Sequence, residues 1–184
     1  MTAPRKAVFL DRDGTLLEDP GYLNDPSQVH LLPGAGEAAA SLKRAGFLLI
    51  IVTNQSGIAR GLITPAQYEA VAARTAELMA QAGGAPDAQY YCPHLPEISG
   101  PCGCRKPGLD LYRQAIEHFG IDAARSWWVG DRISDLSPAS SLGGRGIGLR
   151  VGASFADAER GNPLVGFPVE SDLAGAARRI LALV

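Results

Sequence analysis

Short, continuous apolar runs alternate with amphipathic stretches along most of the chain. The run FLLIIV at 47–52 has the length and uniform hydrophobicity of a strand that is buried on both faces. Apolar residues that recur every three or four positions, as in 66–82, instead predict helices with one face against a core. Together they predict an α/β fold, in which helices flank a mostly parallel sheet. Strands are predicted at residues 7–10, 47–52, 89–91, 126–129 and 146–151, and helices at 35–45, 65–82, 109–119, 135–142 and 171–183.

Residue types at the ends of these segments support several of the boundaries. Thr64, Pro65 and Gln67 have the pattern of an N-cap, a first-turn proline and a capping box. Ser171 is the predicted N-cap of the last helix. Two segments show neither a strand-like nor a helix-like pattern of apolar residues. They are a loop rich in Pro, Gly and Cys at 92–107 and an irregular stretch at 152–170.

Composition narrows the class of protein. The 184 residues suit one domain, predicted over 1–184, and the 46% hydrophobic and 20% charged content is ordinary for a globular chain. The net charge of −2 gives no general attraction to nucleic acid or to an anionic membrane, so neither is expected as a partner. No apolar run approaches the ~20 residues of a membrane span, and residues 1–6 lack the apolar core of a secretory signal. We therefore expect a cytoplasmic protein, and a monomer is compatible with this composition.

The first predicted strand leads directly into two carboxylates, Asp11 and Asp13, which are followed by Gly14. Open α/β sheets bind ligands at the carboxyl ends of their strands, so Asp11 is expected at that edge. A turn at Gly14 lets backbone N–H groups approach an anion. Carboxylates next to such a turn suit Mg²⁺ and phosphate. The alternative is an ordinary Asx turn that begins at Asp13.

Polar groups follow two other predicted strands. Thr53 and Asn54 end the second strand, where a hydroxyl and exposed N–H groups can donate hydrogen bonds to a phosphate. Asp131 follows the fourth strand, and Asp135 begins a predicted helix, where the macrodipole favours a carboxylate whether or not it binds a metal. Arg60 is either a ligand for a distal phosphate or a solvated cation.

The predicted loop at 92–104 contains a second metal-binding pattern. Three thiolates and one imidazole make a closed tetrahedral set for Zn²⁺, and an odd, clustered number of cysteines argues against disulfides. Because no coordination position is left open, the zinc is predicted to be structural and to fix the position of Arg105, the next residue along the chain. The predicted ligands are Cys92, His94, Cys102 and Cys104.

Four segments resemble the motifs of haloacid dehalogenase superfamily phosphatases, namely FLDRDGTL, VTNQSGIARG, RKP and GDRISD. The resemblance implies a Rossmann-like core, and no insertion is long enough for a large cap domain. It also implies that Asp11 is a nucleophile that becomes an aspartyl-phosphate, and that Asp13 is the general acid and base. Mg²⁺ would be held by the Asp11 and Asp131 side chains and the Asp13 carbonyl, and Asp135 would bind it directly or through water. Lys106 would neutralise charge on the phosphoryl group.

Nearly the whole chain is similar to the D-glycero-D-manno-heptose-1,7-bisphosphate 7-phosphatase family, with histidinol-phosphate phosphatases as near relatives. The segments that carry this similarity are FLDRDGTL, DPGY, VTNQSGIARG, YYCPH and CGCRKP. The resemblance implies removal of the 7-phosphate from a small phosphorylated sugar in lipopolysaccharide-precursor synthesis. The implied substrate-binding residues are Asp19, Tyr22, Thr53, Asn54, Gln55, Ser56, Arg60, Arg105, Lys106 and Arg132.

Two departures from the family pattern concern the substrate. The loop between His94 and Cys102 is shorter than in the best-known members, which leaves the preferred anomer open. Arg132 stands where lysine is usual, which keeps the charge but changes the geometry. Histidinol phosphate stays an alternative substrate, although Arg60, Arg105 and Arg132 favour a bisphosphate. A catalytically inactive, zinc-stabilised phosphosugar-binding protein is another alternative, and a phosphomutase is disfavoured by the missing cap.

Overall fold

Six parallel strands form one sheet in the computed structural model, which describes residues 4–150, 164 and 166–184. The strands are β1 (Lys6–Leu10), β2 (Phe47–Asn54), β3 (Ala88–Cys92), β4 (Trp127–Gly130), β5 (Arg145–Leu149) and β6 (Val169–Glu170). Their spatial order is β3-β2-β1-β4-β5-β6, and each neighbouring pair is parallel. The predicted α/β architecture with a mostly parallel sheet is therefore confirmed.

Helices flank this sheet on both faces. Among the described residues they are α1 (Ala35–Arg44), α2 (Ser56–Ala59), α3 (Pro65–Gln81), α4 (Pro96–Ser99), α5 (Asp110–Phe119), α6 (Ile133–Leu142) and α7 (Leu173–Leu181). The predicted capping box starts α3, because Thr64 Oγ1 accepts from the Gln67 N–H at 3.2 Å and Gln67 Oε1 accepts from the Thr64 N–H at 2.8 Å. No described helix combines the length and the apolar character that crossing a membrane requires.

The central strands are buried on both faces, so their side chains alternate between two hydrophobic layers. Val8 and Leu10 belong to the layer that includes residues of α1 and α7. Phe9 belongs to the opposite layer, where it stacks on Trp128 with ring centroids 4.5 Å apart and meets α5. Each large apolar side chain buried in this way contributes roughly 1.5–3 kcal/mol. The strands are therefore fixed from both sides up to the point where they end.

The register of the sheet brings three strand ends together. Leu10, the last residue of β1, pairs with Ile51 on one side and with Val129 on the other. Because these strands run parallel, the residues that follow them lie along one edge of the sheet. Asp11 and Asp131 are thereby placed beside each other, although 120 positions separate them in the sequence.

Strand β6 differs from the sequence prediction, since it lies in the stretch 152–170 that was expected to be irregular. Its two residues pair with Gly148 and Leu149 of β5. A segment this short has no periodicity of its own, so only the neighbouring strand defines it. Most of the stretch that was predicted to be irregular lies within residues 151–163, outside the described part of the chain. Val151, the last residue of the predicted fifth strand, lies there too.

Two local expectations are also corrected. The predicted loop at 92–107 contains the single turn α4. The last helix is capped by Asp172 and not by Ser171, because Asp172 Oδ1 accepts from the Gly175 N–H at 2.7 Å. The Ser171 hydroxyl lies 3.2 Å from the other Asp172 oxygen. Ser171 and Asp172 are both common N-cap residues, so the sequence alone did not show which of them caps the helix.

We expect Thr64→Ala to lower the free energy of unfolding by about 1 kcal/mol, since it removes the side-chain acceptor at the start of α3. Urea denaturation followed by circular dichroism measures this change. Thr64→Ser is the matched control, because it keeps the hydroxyl and should retain most of the stability. Equal losses in both variants would contradict the capping role.

Candidate active site

Three carboxylates meet where β1 and β4 end. Asp11 follows β1, Asp131 follows β4, and Asp135 lies in the first turn of α6. One oxygen from each lies within 4.8 Å of the others, and the Asp131 and Asp135 residues are only 1% and 3% exposed. Like charges this close and this buried repel one another strongly. The cluster therefore needs positive charge beside it.

The turn after the first strand can approach Asp131 only because residue 14 is glycine. Gly14 has a φ of +79°, in the left-handed region, and a Cβ built there would stand 2.9 Å from Asp131 Oδ2. Both the backbone conformation and the contact exclude a larger side chain. Glycine thus lets the first turn pack against the end of the fourth strand.

Lys106 supplies one of the positive charges. Its Nζ donates to Asp11 Oδ1 at 2.6 Å, to Asp135 Oδ1 at 2.7 Å and to the Val52 carbonyl at 2.8 Å. Burial would lower the pKa of Lys106, but the two carboxylates outweigh that effect and raise it above its ordinary value. The side chain is therefore a buried ammonium with every proton used in a hydrogen bond.

One ammonium does not balance the cluster. Burial, together with repulsion from three neighbouring carboxylates, raises the pKa of Asp11 to about 8, even though Lys106 acts in the opposite direction. A divalent cation would relieve this repulsion, and carboxylate oxygens are the ligands that Mg²⁺ prefers. Both oxygens of Asp135 are already engaged, one by Lys106 Nζ and the other by the Arg132 N–H at 3.0 Å. The donor set fits Mg²⁺ at Asp11 and Asp131.

Asp13 lies beside the cluster and is held by two neighbours. Its Oδ1 accepts from Arg12 Nε at 2.9 Å, and its Oδ2 accepts from Arg12 Nη2 at 2.9 Å. Gln55 Nε2 donates to the same Oδ2 at 2.9 Å and also contacts Thr53 Oγ1 at 2.9 Å. Arg12 was not among the predicted site residues, because its only signal in the sequence is a cation placed between two carboxylates at a predicted strand end.

Asp11, Asp13 and Asp135 border an open cavity of about 320 Å³ at the same edge of the sheet. Every predicted substrate-binding residue lines it except Arg60, which ends α2 and is exposed. Asp131 does not line the cavity, since it lies buried beneath. The lining residues are Asp11, Asp13, Asp19, Gly21, Tyr22, Leu23, Thr53, Asn54, Gln55, Ser56, Gly57, Arg105, Lys106, Arg132, Ser134 and Asp135.

A short turn at 19–22 forms one wall of the cavity. Asp19 Oδ1 accepts from the Gly21 N–H at 2.9 Å, which closes the turn, and Tyr22 follows with a φ of +44°. The Tyr22 ring packs against α2, where a Cβ on Gly57 would come within 2.7 Å of it. The ring is 47% exposed, so this wall leaves the cavity open to solvent.

The predicted zinc ligands are brought together in the loop that follows β3. One atom from each of the four residues lies within 4.8 Å of the others. Cys92 Sγ lies 3.7 Å from Cys102 Sγ, and His94 Nδ1 lies 3.3 Å from Cys104 Sγ. Three sulfur atoms and one imidazole nitrogen at this spacing can hold a structural Zn²⁺.

The same loop delivers Arg105 and Lys106 to the cavity. Arg105 follows the last predicted zinc ligand directly, and its Nη1 donates to the His94 carbonyl at 3.2 Å. Asn54, at the end of β2, accepts from the Lys106 N–H at 3.0 Å and donates to the Lys106 carbonyl at 3.3 Å. The loop is thus tied to the sheet on one side of Lys106 and to the cysteine cluster on the other.

Known proteins resemble this chain over most of its length. A family model described as HAD-hydrolase-like matches residues 103–176. D-glycero-beta-D-manno-heptose-1,7-bisphosphate 7-phosphatase of Haemophilus ducreyi is 43% identical over 144 residues, which cover 76% of this chain and 79% of the relative. The protein of the same name from Pseudomonas aeruginosa is 38% identical over 179 residues, which cover 96% and 98% of the two chains.

A solved structure shows the same likeness in three dimensions. D,D-heptose 1,7-bisphosphate phosphatase from B. bronchiseptica, complexed with magnesium and phosphate, superposes with a TM-score of 0.86 at 34% sequence identity. The match covers 97% of this chain and 99% of that one. The similarity therefore extends over nearly the whole fold.

Protein purified without chelators should contain about one zinc ion per chain. His94→Ala removes one of the four ligands, so this variant should lose most of the zinc and unfold at a lower temperature. Metal analysis and thermal unfolding measure both effects. His118→Ala is the matched control, since His118 is exposed and stands apart from the cluster. Zinc-free wild-type protein would contradict the assignment.

Proposed function

We propose that this chain, which belongs to the haloacid dehalogenase-like phosphatases, removes the 7-phosphate of D-glycero-D-manno-heptose 1,7-bisphosphate in a magnesium-dependent reaction. The observation that carries the proposal is the convergence of Asp11, Asp13, Lys106 and Asp131 at one edge of the sheet, beside an open polar cavity. The relatives with this name extend over the same elements. We also propose that the chain forms a single catalytic domain, which the one continuous sheet supports.

The first half of the reaction transfers the phosphoryl group to the protein. An Asp11 carboxylate oxygen attacks the phosphorus, the bond between phosphorus and the ester oxygen breaks, and an aspartyl-phosphate forms. The leaving sugar oxygen takes a proton from Asp13, which must enter this step protonated. Asp13 lines the cavity and lies two residues after the nucleophile, so it can face the leaving group.

The second half returns the protein to its starting state. A water molecule attacks the phosphorus of the aspartyl-phosphate and gives a proton to Asp13, which now acts as a base. The bond between phosphorus and the Asp11 oxygen breaks, and inorganic phosphate leaves. Asp11 is thereby regenerated as a carboxylate and Asp13 as an acid, so the proton given in the first half is recovered in the second.

Positive charge and hydrogen-bond donors around Asp11 make the attack possible. Lys106 is a buried ammonium 2.6 Å from Asp11 Oδ1 and can share its charge with a bound phosphoryl group. The Thr53 hydroxyl lies in the same cavity as a second donor. Magnesium, held by the Asp11 and Asp131 side chains and the Asp13 carbonyl, would offset the repulsion between carboxylate and phosphate.

The cavity suits a sugar that carries a second anionic group. Arg105 and Arg132 line it, and the turn at 19–22 leaves it open. No large cap stands over it among the described residues, so the bulk of the sugar can extend outward. Arg60 does not line the cavity, so we assign it no contact with the substrate. The alternatives of histidinol phosphate and of an inactive binding protein are not favoured, because the named relatives are heptose bisphosphate phosphatases.

Asp11→Asn should lower phosphatase activity by more than about 10³-fold without loss of folding, because an amide oxygen is a poor nucleophile. Phosphate release and circular dichroism measure the two properties, with deamidation excluded by mass spectrometry. Asp25→Asn is the matched control, since Asp25 caps a surface turn away from the cavity. Near-wild-type turnover in Asp11→Asn would refute the nucleophile assignment.

The substrate is tested by a phosphate-release panel. We expect kcat/KM for at least one anomer of the heptose bisphosphate to exceed that for histidinol phosphate by at least about tenfold, since the two arginines in the cavity favour a second phosphate. Simple sugar monophosphates belong in the same panel. Comparable kcat/KM values for all substrates would contradict the heptose assignment. The preferred anomer is read from the same data, while a cytoplasmic location and a monomeric state stay predictions.

A further inference from the structure

We propose that Arg12 is a positioning residue that fixes the Asp13 side chain for both proton transfers, an inference that rests on the proposed function. Arg12 donates from Nε to Asp13 Oδ1 and from Nη2 to Asp13 Oδ2, at 2.9 Å in each case. This two-point fork holds a carboxyl group in one plane, whereas a single donor would leave it free to rotate. The arrangement sets the direction in which Asp13 faces the cavity.

Burial makes this fork rigid. The Arg12 side chain is 1% exposed, while Asp13 keeps 21% exposure and borders the cavity. The Arg12 guanidinium lies over the Tyr68 ring, with its Cζ 5.6 Å from the ring centroid. The Tyr68 and Tyr91 rings are tilted against each other, with their centroids 3.9 Å apart. Because Arg12 does not line the cavity, it acts on the reaction through Asp13 and not through the substrate.

Gln55 completes the support from the other side. Its Nε2 donates to Asp13 Oδ2 and contacts Thr53 Oγ1, and its backbone N–H donates to the Cys92 carbonyl at 2.8 Å. The glutamine is 4% exposed, so it too has little freedom to move. Three N–H groups from two buried side chains therefore define one orientation of the Asp13 carboxyl group.

A purely structural ion pair would have different consequences from a positioning role. Breaking a buried pair lowers stability, and the resulting disorder would reduce kcat/KM for both substrates to the same extent. Loss of Asp13 orientation affects only the steps that transfer a proton. p-Nitrophenolate leaves without protonation, so attack on p-nitrophenyl phosphate needs no acid, whereas hydrolysis of the aspartyl-phosphate still needs Asp13 as a base.

Arg12→Met, assayed with Mg²⁺, separates the two roles. We expect kcat/KM for the heptose bisphosphate to fall about 100-fold, the size of a lost general acid, while kcat/KM for p-nitrophenyl phosphate stays within about threefold. The kcat of the variant for p-nitrophenyl phosphate should fall. A burst of p-nitrophenol equal to the enzyme concentration should precede the slow steady state. Arg12→Lys keeps the charge without the fork and should give a smaller split in the same direction.

Arg74→Met is the matched control, because Arg74 pairs with Glu77 on the exposed side of α3 and should change none of these constants. Equal losses for both substrates without a burst, or no loss at all, would overturn the role of Arg12. If Arg12→Met does not fold, Arg12→Lys decides by the same comparison of kcat with kcat/KM on p-nitrophenyl phosphate. Wild-type protein that hydrolyses neither substrate would instead overturn the proposed function.

Discussion

The buried ammonium of Lys106 is the interaction on which the rest of the site depends. Parallel strands place Asp11 and Asp131 side by side, and α6 adds Asp135, so negative charge collects at positions that are buried or nearly buried. Lys106 binds two of these carboxylates and the Val52 carbonyl. Breaking such a buried network by removing one partner costs several kcal/mol, because the remaining charges are left unpaired. The fold and the site are therefore stabilised by the same contacts.

The position of Lys106 depends on the loop that follows β3. Asn54 clamps the Lys106 backbone to β2 from one side, and the cysteine and histidine cluster gathers the loop on the other. A metal ion can replace a hydrophobic core where a segment is too short to bury one. This arrangement also explains the open cavity, since a pinned loop and the turn at 19–22 form its walls in place of a separate cap.

Buried charge recurs on the other side of the cavity, where it controls orientation. Arg12 is enclosed between Asp13 and the Tyr68 ring, which is an expensive environment for a cation without a partner. Asp13 is thus both the partner that Arg12 requires and the group that the chemistry uses. The nucleophile and the acid–base group are each held by a cation, Asp11 by Lys106 from a distant loop and Asp13 by its neighbour Arg12.

The sequence by itself determined five of the six described strands, most helix boundaries and the carboxylates at the strand ends, because each depends on neighbours within a few positions. The capping box at Thr64 and the uniform run of β2 are of this kind. Only the tertiary structure decided the pairing of β6 with β5, the exclusion of Arg60 from the cavity and the burial of Arg12 against the Tyr68 ring. These features depend on which segments, far apart in the sequence, come into contact in the fold. Neither hydrophobic periodicity nor residue type specifies those contacts.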